Sequence, residues 1–141
     1  MSTRIEAIEH SLVYRHFAKK LRKERVAITK QDTKTKYLGY FEDEQLVGVV
    51  GWLDMGNGHI RYKTDYVDSY FRGKGIYTHL YKSRNFLIFQ NRVSYITAYC
   101  TPMSLPMYLK NNFKQLSISK TGIAYVKQTT DEKLQTMDSR I

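Results

Sequence analysis

The chain contains a single cysteine and no long hydrophobic run, and both absences narrow the kinds of protein it can be. Cys100 has no second thiol with which to form an internal disulfide or a zinc site, which fits a reducing compartment. No stretch approaches the roughly 18 apolar residues that cross a bilayer, and the N-terminus lacks the apolar core of a signal peptide. We therefore expect a cytoplasmic protein without membrane contact, in which Cys100 packs as a small hydrophobe.

Acidic residues are also scarce in this chain. It has 13 Asp and Glu against 23 Lys and Arg, a formal net charge of +10, which favours anionic partners such as nucleic acid, an acidic protein or a phosphorylated cofactor. Much of the excess lies between Arg15 and Lys36, a segment that could be a solvated helix face or a nucleic-acid-binding surface. The candidate nucleic-acid contacts in it are Lys19, Lys20, Arg22, Lys23 and Arg25.

A length of 141 residues and a hydrophobic content of 42% are typical of one globular domain, here spanning 1–141. Inside it we distinguish a basic N-terminal helical region over 1–36, a core over 45–127 and a polar tail over 129–141. The tail is expected to fray. The sequence leaves both a monomer and a homodimer open.

Residues 5–22 are predicted to form an amphipathic helix. Their apolar side chains recur at spacings near three and four, with lysine and arginine on the other face: Ile5, Ile8, Leu12, Val13 and Phe17. The helix could break near His10, where Ser11 would cap a second helix.

Short β-branched and aromatic runs predict strands after this region. The segments 37–41 and 45–53 are predicted to form a hairpin around the polar turn 42–44, and a third strand is predicted over 60–67. Strand alternation would place Asp65 and Val67 on the face opposite Tyr62. Further along we predict a helix over 74–90, a strand over 94–100, a short helix over 103–111 and a closing strand pair over 113–119 and 123–127. This order indicates an α/β or α+β domain with a mostly antiparallel sheet and one crossover helix.

A glycine turn over 72–77, Arg-Gly-Lys-Gly-Ile-Tyr, joins the third strand to the following helix. Amides at a helix N-terminus point outward at the positive end of the helix dipole, which makes an anion site. Gly73 and Gly75 permit backbone paths that other residues resist, and Arg72 and Lys74 add positive charge. The turn lacks the spacing of a nucleoside triphosphate loop or of a dinucleotide-binding fingerprint. The expected ligand is therefore the phosphate or pyrophosphate of a coenzyme.

Residues 66–76 resemble the acetyl-CoA-binding segment of GNAT acetyltransferases, in which a strand ends in an Arg-x-x-Gly-x-Gly/Ala turn. Residues 101–113 are similar to that family's second segment, which lines the other side of the coenzyme. The resemblance implies a GNAT-like fold, a mixed, mostly antiparallel twisted sheet flanked by helices, with acetyl-CoA as the acyl donor. The coenzyme-binding residues that it implies are Tyr66, Val67, Arg72, Gly73, Lys74, Gly75, Ile76, Tyr77 and Ser104.

The same resemblance implies catalytic roles. Tyr108 matches the tyrosine that protonates the departing coenzyme thiolate, a task suited to a phenol with a pKa of about 10. An amine acceptor must also lose a proton, and Asp65 is the first candidate for the base, followed by His59 and Asp54. Tyr108 could instead be a buried aromatic, and Asp65 a strand-edge charge. Tyr77 stands where the family has glycine or alanine, so its side chain is expected to point away from the coenzyme.

Three functions remain open at the level of sequence. The first is acetyl transfer from acetyl-CoA to a primary amine on a neutral or anionic acceptor, because the chain has no acidic tract to capture a cationic one. The second is modification of a DNA or RNA base, for which the GNAT-like Mom proteins of phages are a precedent. The basic segment and exposed tyrosines such as Tyr37 and Tyr40 would then hold phosphates and stack on bases. The third is a non-catalytic binding module.

Overall fold

In the computed structural model, which describes residues 2–130, a seven-stranded sheet carries helices on both faces. Within that range no helix is both long and apolar enough to span a membrane. The part of the predicted polar tail from residue 131 onward lies outside the described residues. The elements, with a single 3-10 turn at Ser69–Phe71 before α2, are β1 Thr3–Ile8, α1 His10–Lys23, β2 Lys36–Glu42, β3 Gln45–Gly56, β4 His59–Val67, α2 Ile76–Ile88, β5 Tyr95–Cys100, α3 Leu105–Lys110, β6 Lys114–Ile118 and β7 Ala124–Thr129.

The sheet runs in the order β1-β2-β3-β4-β5-β7-β6 and is antiparallel except where β4 pairs with β5. Helix α2 connects these two parallel strands, as the predicted crossover requires. The predicted hairpin is also confirmed, because β2 and β3 pair antiparallel around a turn at Asp43 and Glu44. The predicted class, a mixed domain with a mostly antiparallel sheet, is therefore confirmed.

The first segment is not a single helix, so this prediction was wrong. Thr3–Ile8 forms the edge strand β1, in which Ile5 lies opposite Tyr40 and Ile8 opposite Tyr37. A spacing of three places two strand residues on opposite faces, and Ile5 packs on the α2 side of the sheet while Ile8 packs on the α1 side. The apolar spacing thus suited a strand that is partly buried on both faces as well as a helix.

Helix α1 begins at His10, and Glu9 rather than Ser11 occupies the N-cap position. It covers one face of the sheet, whereas α2 covers the other. The side chains that α1 buries are Val13, Phe17, Ala18 and Leu21. Cys100 is fully buried, as predicted, and burial raises the pKa of its thiol to about 12.

Strand β4 contains a bulge that reverses its side-chain alternation. Lys63 pairs with Gly51 and Tyr66 with Val49, so β4 has one residue more than β3 across this interval. Thr64, inside the interval, has a left-handed φ of 62°. One extra residue in a strand moves every later side chain to the other face of the sheet.

The bulge puts Asp65 and Val67 on the α2 face, which also carries Tyr62. Tyr66 turns instead towards α1, where its ring packs against Phe17 with 5.4 Å between the centroids. The predicted alternation, with Asp65 and Val67 opposite Tyr62, was therefore wrong beyond the bulge. As a result Asp65 is only 5% exposed, inside the protein rather than at its surface.

Strands β4 and β5 pair only at their beginnings. Their parallel register runs from His59 opposite Tyr95 to Tyr62 opposite Ala98. Beyond it, and within the described part of the chain, residues 63–67 of β4 have no strand partner on the β5 side. The sheet therefore opens into a cleft between the two strands.

Leu80 provides a test of how α2 is held on the sheet. It is fully buried in a cluster with Val47, Val50 and Val67, so Leu80→Ala should lower the free energy of unfolding by about 2–5 kcal/mol, because it leaves a cavity. Phe86→Ala is the matched control on the same helix, since Phe86 is 70% exposed and should cost no more than about 0.5 kcal/mol. Urea denaturation measures both, and equal losses would contradict the observed buried face.

Candidate active site

The glycine turn connects β4 to α2 as predicted, and its shape depends on two left-handed glycines. Gly73 and Gly75 have φ values of 80° and 83°, which residues with a Cβ rarely adopt. The His79 amide bonds to the carbonyl of Gly75, the N-cap of α2, which leaves the amides of residues 76–78 without an intrahelical partner. A cavity of about 300 Å³ lies against the turn, lined in part by both glycines and Thr78. This arrangement is suited to an anion.

Arg72 ties the glycine turn to the rest of the fold through its side chain. Its Nε donates to the Val67 carbonyl at 2.7 Å, and its Nη2 forms an ion pair with Glu24 at 2.7 Å. Its guanidinium carbon lies 5.3 Å from the centroid of the Tyr66 ring. Lys74, by contrast, has no carboxylate within ion-pair distance among residues 2–130. The positive potential available to a ligand at the turn therefore comes mainly from backbone amides and Lys74.

The predicted pantetheine contacts lie along the open part of β4. Tyr66 and Val67 belong to the stretch that β5 does not pair, and Ser104 lines the cleft from the start of α3. Because the Tyr66 ring packs towards α1, this residue can offer a ligand in the cleft only its backbone groups. Val67 also lines the cavity at the glycine turn, so the two cavities adjoin the same strand.

Arg84 of α2 and Asp65 of β4 form a buried ion pair that the sequence analysis did not predict. Arg84 has no exposed surface, and its Nη1 and Nη2 donate to Asp65 Oδ1 at 2.6 Å and Oδ2 at 3.0 Å. Nη1 also donates to the Gly51 carbonyl at 2.9 Å, and the guanidinium carbon lies 3.7 Å from the Tyr62 ring centroid. Burial alone would lower the pKa of Arg84, but the Asp65 carboxylate raises it well above its ordinary value. The guanidinium is therefore charged.

Two tyrosines complete the contacts of the Asp65 carboxylate. Tyr108 donates to Asp65 Oδ2 at 2.6 Å, and Tyr77 donates to the same oxygen. The Tyr108 hydroxyl also accepts from Arg84 Nη2 at 3.2 Å. Burial raises the pKa of both phenols well above its ordinary value, and the charge of Asp65 adds to the rise. Both hydroxyls therefore keep their protons at neutral pH.

The bulky Tyr77 is explained by its contact with Asp65. Its side chain leads from the glycine turn into the core, where its ring packs edge-on against Tyr81 at 6.4 Å. A glycine or alanine at this position could not reach the carboxylate. The tyrosine thus joins the glycine turn to the buried ion pair.

The cleft between β4 and β5 has a volume of about 340 Å³. Its walls are the loop after α1, residues 61–65 of β4, the end of β5 and the start of α3. Asp65, Ser104 and Tyr108 all contribute to its lining, so the two residues predicted to be catalytic lie at one site.

The other two candidates for a base do not line this cleft. Asp54 accepts from the Gly56 amide at 2.9 Å and stabilises the turn between β3 and β4. His59 Nε2 lies 2.7 Å from Thr97 Oγ1. Burial lowers the pKa of His59, and the neighbouring Arg61 lowers it further, so the imidazole is neutral at pH 7.

The five basic residues predicted to contact nucleic acid have different surroundings. Lys20 forms an ion pair with Asp68 at 2.6 Å, while Arg22 donates to the Tyr14 hydroxyl at 2.8 Å. Arg25 lines the cleft. The remaining two, both exposed on α1, are Lys19 and Lys23. Nucleic-acid contact by this set stays a prediction. The prediction that Tyr37 and Tyr40 are exposed was wrong, because both side chains are buried in the core.

The sequence does hold a signal for Arg84. It falls at a spacing of four in the stripe that α2 buries: Ile76, Leu80, Arg84 and Ile88. A charged side chain in an otherwise apolar helix stripe requires a buried partner, because an unpaired buried charge is too costly. Arg84 lies outside both segments that resemble the family, so the resemblance did not imply a role for it.

No protein-family model and no curated protein matches the sequence. Solved structures do match the fold. The PaiA N-acetyltransferase of Thermoplasma acidophilum in complex with coenzyme A is 13% identical over 92% of this chain and 99% of its own, with a TM-score of 0.68. An acyl-CoA N-acyltransferase of Pseudomonas aeruginosa is 13% identical over 91% of this chain and 100% of its own, with a TM-score of 0.72.

An acetyltransferase of the GNAT family from Staphylococcus aureus Mu50 is similar to the same degree. It is 13% identical over 91% of this chain and 99% of its own, with a TM-score of 0.69. Likeness at these identities is a likeness of fold. The chain therefore has the GNAT fold, as the resemblance of its two segments implied.

Loss of the buried pair can be measured through Arg84→Met. This change should lower the free energy of unfolding by about 3–5 kcal/mol, because it leaves the Asp65 carboxylate buried without its charged partner. The double variant Asp65→Asn/Arg84→Met should recover part of that loss, since no charge then remains in the core.

The control for this prediction is an exposed ion pair. Glu44 lies 3.6 Å from Arg4 and is 92% exposed, so Glu44→Gln should cost no more than about 1 kcal/mol. Chemical denaturation compares the variants. A loss for Arg84→Met as small as that for Glu44→Gln would contradict the structural role of the buried pair.

Proposed function

We propose that the chain is an N-acyltransferase that transfers an acetyl group from acetyl-CoA to a primary amine of a neutral or anionic acceptor. The observation that carries this proposal is that the cavity at the glycine turn and the cleft lined by Tyr108 adjoin the same unpaired stretch of β4. The free amides of residues 76–78 suit a pyrophosphate, and the unpaired edge over 63–67 suits the amide groups of a pantetheine arm. The similar fold solved with coenzyme A supports the choice of donor.

Tyr108 is the group in this cleft best placed to give up a proton. When bound, acetyl-CoA supplies a thioester whose carbonyl carbon accepts the amine nitrogen, and the sulfur that departs needs a proton. The proton of Tyr108 lies in a hydrogen bond to Asp65, so it must leave that bond to act. Arg84 Nη2, at 3.2 Å from the hydroxyl, would then stabilise the phenolate, which regains a proton when the attacking nitrogen loses one.

Asp65 is better suited to positioning than to proton transfer. Both of its carboxylate oxygens already accept hydrogen bonds, from Arg84, Tyr77 and Tyr108. These side-chain donors fix the orientation of the carboxylate within the core. We therefore infer that Asp65 holds Tyr108 and Arg84 at the cleft, in place of the base role predicted from the sequence.

Transfer is tested by incubating the purified protein with acetyl-CoA and pools of small amines, proteins and nucleic acids. Mass spectrometry should detect an acetylated product, and free thiol should be released in equal amount. A ligand that binds only the native state at 100 times its Kd adds about 2.7 kcal/mol of stability, so acetyl-CoA should also raise the Tm. The proposal would be refuted if millimolar acetyl-CoA gave no acetylated product, no free thiol and no shift in Tm.

Lys74→Glu tests the glycine turn as the pyrophosphate site. The change puts a negative charge beside the free amides and should raise the Kd for coenzyme A about tenfold or more. Lys82→Glu makes the same change on an exposed part of α2 away from the turn and should alter the Kd by less than about twofold. Calorimetry at low and moderate salt measures both. Equal weakening by the two variants would assign the effect to net charge alone.

Tyr108→Phe tests the proton donor. It should lower kcat by about 100-fold or more while the Kd for coenzyme A is retained, because only the hydroxyl is lost. Tyr81→Phe is the matched control: Tyr81 is equally buried in the same cluster but makes no hydrogen bond to Asp65. Unchanged kcat in Tyr108→Phe, or an equal fall in Tyr81→Phe, would remove Tyr108 from the mechanism.

A further inference from the structure

The cleft between β4 and β5 contains more positive than negative side chains. Arg25, Arg61 and Lys63 line it, against the single carboxylate of Asp65, which is buried and already paired within the core. Lys63 lies 3.9 Å from Asp32, so its charge is partly compensated. The two arginines have no such compensation, since neither has a carboxylate within ion-pair distance among residues 2–130.

Arg61 is positioned with most of its donors free. Its Nε lies 3.4 Å from Thr97 Oγ1, and its guanidinium carbon lies 5.1 Å from the centroid of the Tyr99 ring. Its Nη atoms form no hydrogen bond within the described residues. A guanidinium held in this way presents a fork of N–H groups that matches the two oxygens of a carboxylate or phosphate.

Arg25 reaches the cleft from the loop after α1. Its own backbone is left-handed, with a φ of 63°, where the chain leaves the helix. Its Nη1 donates to the Thr121 carbonyl in the turn between β6 and β7. That contact holds the guanidinium at the cleft without neutralising it, because a carbonyl carries no net charge.

The two uncompensated cations would also act on an amine bound in this cleft. Positive charge nearby lowers the pKa of an ammonium group, because it disfavours the charged form. Asp65 is engaged in hydrogen bonds, and no other carboxylate or imidazole among residues 2–130 lines the cleft. The positive charges would therefore favour the neutral amine, the form that can attack a thioester, without a base. The same charges repel an acceptor with a second ammonium group.

We propose that the acceptor is a small primary amine that carries a carboxylate or a phosphate, and that Arg61 and Arg25 bind this anionic group. The proposal rests on the acyl transfer proposed above and narrows its acceptor. A cleft of about 340 Å³ is at the small end of the range for ligand pockets, which fits a small molecule.

The test uses four short amines of matched length that differ in charge: β-alanine, 2-aminoethylphosphonate, 3-aminopropanol and 1,3-diaminopropane. With acetyl-CoA as donor, kcat/KM should fall from the anionic amines to the neutral one and again to the dication. The ratio between the better anionic amine and 3-aminopropanol should be about tenfold or more. The order of β-alanine and the phosphonate then distinguishes a carboxylate from a phosphate.

Variants connect this preference to the two arginines. Arg61→Gln should reduce the ratio between the anionic and neutral amines about tenfold, mainly through KM for the anionic amine. Arg25→Gln should also reduce this kcat/KM ratio. Because Arg25 is exposed, this variant provides the test if Arg61→Gln does not fold. Lys19→Gln removes one exposed positive charge from α1 and should leave the ratio unchanged.

Binding of the same four amines in the presence of coenzyme A, followed by calorimetry, separates this proposal from the acyl transfer itself. Tighter binding of an anionic amine, weakened by Arg61→Gln, supports the acceptor class even if turnover is absent, in which case only the transfer is refuted. Equal binding and equal kcat/KM for the anionic and neutral amines would overturn the acceptor class while leaving the transfer intact. An equal loss in Arg61→Gln and Lys19→Gln would overturn the role of Arg61.

Discussion

Removing two opposite charges from water costs several kcal/mol per ion, and Asp65 and Arg84 lie together inside the core. Further hydrogen bonds support both groups, and they come from Tyr77, Tyr108 and the Gly51 carbonyl. Arg84 Nε alone of the guanidinium nitrogens has no partner among residues 2–130. These hydrogen-bond partners belong to β3, α3 and the start of α2. The ion pair therefore holds the elements of the cleft at fixed positions relative to one another.

The ion pair between Asp65 and Arg84 depends on the bulge in β4. Without the extra residue, strand alternation would carry Asp65 to the α1 face, away from Arg84. The pairing of β4 with β5 ends at Tyr62, directly before the bulge. The bulge therefore turns the Asp65 carboxylate inward at the place where the sheet opens. Glycine at position 51 suits this site, because a Cβ there would lie 3.0 Å from the Lys63 carbonyl oxygen.

The positive groups behind the net charge of +10 differ in whether the fold pairs them with carboxylates. Part of it is compensated, as Lys20 pairs with Asp68 and Arg72 with Glu24 next to the glycine turn. The positive groups left without carboxylates include those at the turn and at the cleft, two places where an anionic donor and an anionic acceptor would bind. In the proposed reaction, positive charge would favour the binding of both substrates, and it would favour the neutral form of an attacking amine.

Features set by neighbouring residues could be predicted from the chain alone. The hairpin and the glycine turn follow from local patterns, because turn residues and strand runs determine backbone geometry within a few positions. The GNAT fold was implied by the resemblance of two segments to a known family. Only the folded molecule decided on which side of the sheet Ile5 and Ile8 pack, that the Asp65 side chain points into the core, and that Arg84 pairs with it. The contacts of Asp65 with Arg84 and Tyr108 join residues 19 and 43 positions apart. No spacing rule reaches that far, since burial and a one-residue bulge decide which distant groups meet.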